Sequence, residues 1–196
     1  MKLWLVMLVS SSLLFLNGCS SEKKKGEEKT SSTISTNSTK EKEEKEKKEE
    51  VKNEKLTLKD ISGKEIIVTP LEKGFAFSGY ENKVVLVNFF TTWCPPCKAE
   101  IPHLNSLQEK YKDNFVIISV LLEENKSNEE IQSFMKYNHI KYIITNGAEN
   151  FKFAQSAGGV KNIPLMFLYD KNGKYSTHYV GAIPEEMIDA DIKKVL

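Results

Sequence analysis

The sequence predicts an α/β domain over residues 56–196, with a central mixed β-sheet flanked by helices and a β-hairpin added in front. Three observations carry that expectation. Composition breaks at Leu56: from Ser20 to Lys55 the chain is lysine, glutamate, serine and threonine with almost no large apolar side chain, and beyond it apolar residues become periodic. Val84 to Phe90 is nearly uninterrupted apolar sequence, the pattern of a central strand covered on both faces. Short β-rich runs of this kind alternate with helical stretches along the rest of the chain.

Taken in order, Leu56–Leu58 and Glu65–Val68 flank the turn Asp60-Ile61-Ser62-Gly63-Lys64 and form the leading hairpin. Pro70 to Asn82 has no obvious element, although Phe75, Phe77 and Tyr80 favour packing on the core over reshaping a surface. The strand Val84–Phe90 runs directly into Trp93-Cys94-Pro95-Pro96-Cys97. Lys98 to Lys112 carries Ile101, Leu104, Leu107 and Tyr111 at helical spacing, with a kink expected at Pro102. A second buried strand is expected over Phe115–Leu122, and a second helix over Asn128–His139 with Ile131, Phe134 and Met135 inward. A short strand follows over Tyr142–Thr145, and a further helix starts near Glu149. Leu165–Tyr169 and Tyr175–Val180 are strands joined by Asp170-Lys171-Asn172-Gly173, a hairpin signal, and a last helix begins at Pro184.

The first third reads as targeting and tether. Lys2 precedes a mostly apolar run from Leu3 to Leu16, short for a membrane span but suited to the apolar region of an export signal over residues 1–18. Leu16-Asn17-Gly18-Cys19 resembles the bacterial lipobox, in which cleavage precedes a cysteine that then carries lipid. Cys19 would so become the lipidated N-terminus; simple secretion and an uncleaved anchor are the alternatives, since Asn17 departs from the residue commonest in its slot. Residues 19–55 form a solvated linker, with Glu41–Lys45, Glu43–Lys47 and Glu44–Lys48 spaced for helical pairing over part of it. The 28 basic residues are all lysine and stand against 27 acidic ones, so the chain lacks the positive excess of a nucleic-acid binder.

Cys94 and Cys97 carry the chemistry. With Cys94 at the N-cap of the following helix, Cys97 falls at the third helical position, whose backbone N–H is one of the unpaired donors of the first turn. A Cys94 thiolate can accept that bond, and the helix dipole favours negative charge there, so its pKa is expected to be lowered. Pro95 and Pro96 lack N–H groups, which a first turn tolerates, and they stiffen the loop between the sulfurs. Zinc binding or a structural disulfide is the competing reading. Against zinc, the chain has no second cysteine pair, and His103, His139 and His178 are scattered.

The segment Val85-Leu86-Val87-Asn88-Phe89-Phe90-Thr91-Thr92-Trp93-Cys94-Pro95-Pro96-Cys97-Lys98-Ala99-Glu100-Ile101-Pro102 resembles the TlpA/ResA-like branch of the thioredoxin superfamily. So does Gly159-Val160-Lys161-Asn162-Ile163-Pro164, which is similar to the loop that carries a cis-proline in that family. The resemblance implies a thioredoxin fold and a redox-active Cys94–Cys97 disulfide, without another cofactor or a metal. It makes Cys94 the nucleophile, Cys97 the resolving thiol, and Pro164 the cis-proline of the substrate groove. Pro95, Pro96 and the backbone of Ile163 would then meet the partner chain. It further implies that Glu100 tunes the cysteine pair and relays protons, the alternative being a solvated helix carboxylate. Asn88 stands where ordinary thioredoxins carry a buried aspartate, and Trp93 is expected to pack beside the site and shield it. Leu165 replaces the threonine common after the proline.

The implied function is a lipid-anchored thiol-disulfide oxidoreductase of the bacterial cell envelope, outside the cytoplasm. Its partners would be proteins bearing disulfides or thiols and a membrane electron donor, with cytochrome c maturation the commonest task among relatives. The same chemistry run as an oxidase or isomerase is the nearest alternative. A metal- or haem-handling chaperone using both cysteines as ligands, and a binding module with an inert bridge, are readings from other classes.

Overall fold

The computed structural model of the protein describes residues 54–196. The expected export signal, the lipid-bearing Cys19 and the linker lie outside the described residues, apart from positions 54 and 55 at the linker's end.

Five strands form the central sheet: β4 (Val84–Phe90), β5 (Phe115–Leu121), β6 (Ile143–Thr145), β7 (Leu165–Tyr169) and β8 (Tyr175–Val180), in the order β6-β5-β4-β7-β8. β4 pairs parallel with β5, and β5 with β6, whereas β7 runs antiparallel to both β4 and β8. Every residue of β4 and β5 is buried, because each strand sits inside the sheet with packing on both faces.

The period of two then divides the core. Val85, Val87 and Phe89 of β4 point to one face and Val84 and Leu86 to the other. The second face is covered by α2 (Ile101–Lys110) and α5 (Glu185–Val195), through Leu104, Leu107, Ile188 and Ile192. The first is covered by α4 (Glu149–Ser156), with fully buried Phe153, and by a second sheet that the sequence reading understated. α3 (Asn128–Tyr137) begins at a capping box, Ser127 Oγ accepting the Glu130 N–H while the Glu130 carboxylate accepts that of Ser127.

That second sheet is a correction. The expected hairpin is present as β1 (Leu56–Lys59) and β2 (Glu65–Leu71), but the segment left without an element adds β3 (Gly74–Phe77), which makes a three-stranded antiparallel sheet. β2 continues through Pro70, which a sequence reading takes as a strand terminator because it has no N–H to give. Phe75 and Phe77 turn inward, with Phe75 edge-on to Phe153 at 5.2 Å between ring centroids. The expectation that this segment packs on the core therefore holds. Gly74 and Gly173 make the crossing feasible: the Phe75 N–H donates to the Gly173 carbonyl at 2.9 Å, and a Cβ on Gly74 would overlap that same oxygen.

Two helix boundaries also move. The helix after the cysteines is broken into α1 (Pro95–Ala99) and α2, and the break falls at Glu100 rather than at Pro102. Pro102 has no N–H for the Lys98 carbonyl four residues back, so the interruption appears N-terminal to the proline that causes it. Pro184 is the N-cap of α5 rather than its first helical residue. Among the described residues no helix is long and apolar enough to cross a membrane.

Candidate active site

The site forms where β4 ends. Thr91, Thr92 and Trp93 carry the chain from Phe90 to Cys94, which is the N-cap of α1 with extended φ and ψ of −75° and 113°. Pro95 and Pro96 occupy the first helical positions and offer no N–H, so the first turn's remaining donor is that of Cys97. It points at Cys94 Sγ at 3.3 Å. A whole helix terminus thus directs its positive end and one N–H at one sulfur, an arrangement that stabilises a thiolate on Cys94. Cys94 and Cys97 are joined as a disulfide, with their Cα atoms 5.3 Å apart.

Both cysteines are buried, 2% and 4% exposed, in an apolar cluster with Phe90, Leu121, Ile131 and Ile144. Phe134, Met135 and Ile163 pack against that cluster, with the Phe134 ring stacked on Phe90 at 6.3 Å. The peptide bond Ile163–Pro164 is cis. Since Phe89 pairs with Leu165 in the β4–β7 ladder, Pro164 stands one step further along, beside the end of β4 that leads to the cysteines. Its carbonyl accepts the Gly181 N–H at 2.9 Å, which holds the loop to the end of β8.

Glu100 is not a solvated carboxylate. Ending α1 at this residue turns its side chain inward, to 2% exposure, and Oε1 accepts the Ile183 N–H at 2.7 Å. Oε2 is buried without a hydrogen-bond partner among the described residues. Burial pushes the carboxyl up from 4.5 to about 7, with the Ile183 N–H pulling the other way. Asn88 is buried as well, its Nδ2 donating to Ser119 Oγ at 3.1 Å across the β4–β5 pair. Asn88 Oδ1 and Thr91 Oγ1 have no partner among the described residues.

Trp93 requires a correction. It is 66% exposed, whereas Cys94 beside it, at the N-cap of α1, is 2% exposed. The shielding comes instead from α3 and the end of β4. Pro95, Pro96, Lys98 and Ala99 are exposed, so the outer surface of α1 is two prolines, a lysine and an alanine, with the neighbouring indole.

Two partners of the site have no motif in the sequence. The Glu123 carboxylate accepts the Thr92 N–H, tying the loop before Cys94 to the end of β5. Its one sequence signal is position: a carboxylate at the carboxyl end of a buried parallel strand lies where α/β sheets place their sites. Ile183 acts through its backbone, and nothing in its side chain announces that.

The redoxin family profile matches residues 47–196, more than half of the chain. The chain belongs to the redoxin family. This redoxin is similar to the thiol-disulfide oxidoreductase ResA of Bacillus thuringiensis subsp. konkukian (strain 97-27), 33% identical over 150 residues that span 74% of this chain and 82% of that protein. Among solved structures it resembles a thiol:disulfide interchange protein of the thioredoxin family from Chlorobium tepidum TLS, at 27% identity and a TM-score of 0.56, covering 72% of this chain and 92% of the other. It shares its fold with StoA of Bacillus subtilis, at 20% identity and a TM-score of 0.56, covering 71% and 96% of the two chains. The redoxin is thus a thiol-disulfide oxidoreductase of TlpA/ResA type on a thioredoxin fold, with Cys94 and Cys97 forming its disulfide.

Proposed function

We propose that this oxidoreductase is a lipid-anchored reductase of the bacterial cell envelope, working outside the cytoplasm on disulfides of particular proteins. Cytochrome c maturation is the task that the resemblance of its motifs to the TlpA/ResA-like branch implies. The observation that carries the catalytic part is the single first-turn N–H of α1, directed at Cys94 Sγ at 3.3 Å.

In the proposed reaction the Cys94 thiolate attacks one sulfur of a partner's disulfide. A Cys94–partner bond forms, the partner's S–S bond breaks, and its second sulfur leaves as a thiolate. Cys97 then gives up its proton and attacks Cys94 Sγ. The Cys94–Cys97 bond forms, the mixed disulfide breaks, and the partner leaves with two electrons gained and both sulfurs as thiolates, which take their protons from solvent. Glu100 is the proposed acceptor of the Cys97 proton: it lies three residues beyond Cys97, is buried, and is pushed up to about 7, so that both of its forms are populated near neutral pH. Pro164 and the backbone of Ile163 line the groove in which the partner's chain lies extended. Pro95 and Pro96 form its exposed rim. A membrane electron donor returns the pair to the dithiol form.

The anchoring part rests on the resemblance of Leu16-Asn17-Gly18-Cys19 to the lipobox. The reduction potential of the Cys94–Cys97 pair tests direction. A reductase is expected at about −200 mV or below, and a value near −120 mV, the range of strong disulfide donors, would overturn the reductase reading in favour of an oxidase.

A further inference from the structure

Among the described residues, the one hydrogen bond to the Glu100 carboxyl group comes from a distant part of the chain. Ile183 lies in the connection between β8 and α5, and α5 is fastened to α2 by a polar seam. Ser106 Oγ donates to Glu185 Oε1 at 2.6 Å, while Lys110 Nζ and the Tyr111 hydroxyl converge on Asp189 Oδ1 at 2.6 and 2.7 Å. Lys193 holds the other oxygen of Asp189 at 2.7 Å, and Ile188 and Ile192 close the apolar side of the contact. The residue after Ile183 is Pro184, which fixes the backbone at an extended position and has no N–H that Glu100 could take instead. The geometry thus offers Glu100 one donor, in a place set by the docking of a helix.

We propose that Ile183 is a positioning residue of the exchange reaction: its backbone N–H, held in place by the docking of α5 on α2, favours the carboxylate form of Glu100 and so sets the pH at which Glu100 can take the Cys97 proton. The inference rests on the proton-relay reading of Glu100 given above. Its physical basis is that an N–H donor binds a carboxylate more strongly than a neutral carboxyl group, whereas burial disfavours the charged form. The two effects oppose one another, and removing the donor leaves burial alone. Besides the Ile183 N–H, the titratable group coupled to Glu100 is Tyr142, just before β6, and Cys97 lies three residues earlier, on α1. The Tyr142 phenol is raised by its own burial first and by the Glu100 charge second.

Ile183→Pro removes the N–H, and Ile183→Ala removes the side chain while keeping it. The measurement is the pH dependence of the reduction potential, whose slope changes where groups coupled to the pair titrate. Ile183→Pro is expected to move the Glu100 midpoint upward by about one pH unit, with Ile183→Ala unmoved. An unmoved midpoint in Ile183→Pro, or an equal shift in both variants, overturns the proposal. Glu100→Gln separates the two readings: its loss of the midpoint supports the relay, and a midpoint that persists in it refutes the relay itself. Should Ile183→Pro fail to fold, the amide proton shift of Ile183 in the unaltered protein decides. It is expected to titrate with the Glu100 midpoint and to stop doing so in Glu100→Gln, and an amide insensitive to pH overturns the proposal.

Discussion

Cys94→Ser is expected to lose disulfide exchange by about three orders of magnitude or more, measured as reduction of a protein disulfide by the pre-reduced enzyme. A serine hydroxyl at the N-cap still accepts the Cys97 N–H, so the helix start is retained and the loss is chemical. Cys97 cannot take over. It lies inside the first turn, where the N–H that would stabilise a thiolate is its own and points at residue 94 instead of at its own sulfur. Unchanged stability with lost exchange is the expected pair of results, and residual exchange within tenfold of the original would move the nucleophile elsewhere.

The second large effect concerns pH and Glu100. Below about pH 4.5 the carboxyl is protonated in the folded and the unfolded chain alike, and it contributes no pH dependence. Between 4.5 and about 7 the unfolded chain releases this proton while the folded one keeps it, so the folded state binds more protons and stability falls as pH rises. Above 7 the loss is complete, and on the order of 3 kcal/mol. Glu100→Gln keeps an oxygen for the Ile183 N–H and carries no charge. Urea unfolding at intervals from pH 5 to 8 is expected to show the unaltered protein weakening relative to this variant, which gains about 2–3 kcal/mol by pH 8. Parallel curves for the two proteins would show that Glu100 is not held neutral by the fold. A gain in stability on removing a site residue is the usual mark of a group kept for function at the expense of the fold.

How much of this was legible in the sequence follows from where each signal resides. The two central strands, Val84–Phe90 and Phe115–Leu121, were readable because burial on both faces leaves continuous apolar runs, whereas β8, an edge strand and largely exposed, was readable from the turn Asp170-Lys171-Asn172-Gly173 before it. The N-cap geometry of Cys94 followed from residue types alone, since two prolines after a cysteine fit a helix start and little else. β3 was missed because its four residues, Gly74 to Phe77, are too few to establish a period and follow a proline. The break at Glu100 was displaced because a proline's missing N–H acts four residues upstream of where the proline is read.

Glu100 shows the limit most clearly. As a helix residue three beyond Cys97 it reads equally as a surface charge, and only the break in the helix, with Ile183 arriving from the far end of the domain, makes it buried and singly hydrogen-bonded. Trp93 erred in the opposite sense. Large aromatics are usually buried, but a residue in the turn just before an N-cap takes its direction from the turn, and here it faces solvent.

The most direct test of the two-cysteine mechanism is to stop it halfway. Reduced Cys97→Ser enzyme, incubated with a protein disulfide that the unaltered enzyme reduces, is expected to accumulate a one-to-one mixed disulfide. Intact mass and peptide mapping should place it on Cys94, stable until a dithiol is added. An adduct mapped to another residue, or release of the reduced substrate at the unaltered rate without any adduct, would contradict the assignment of Cys94 as attacking sulfur and Cys97 as the one that resolves.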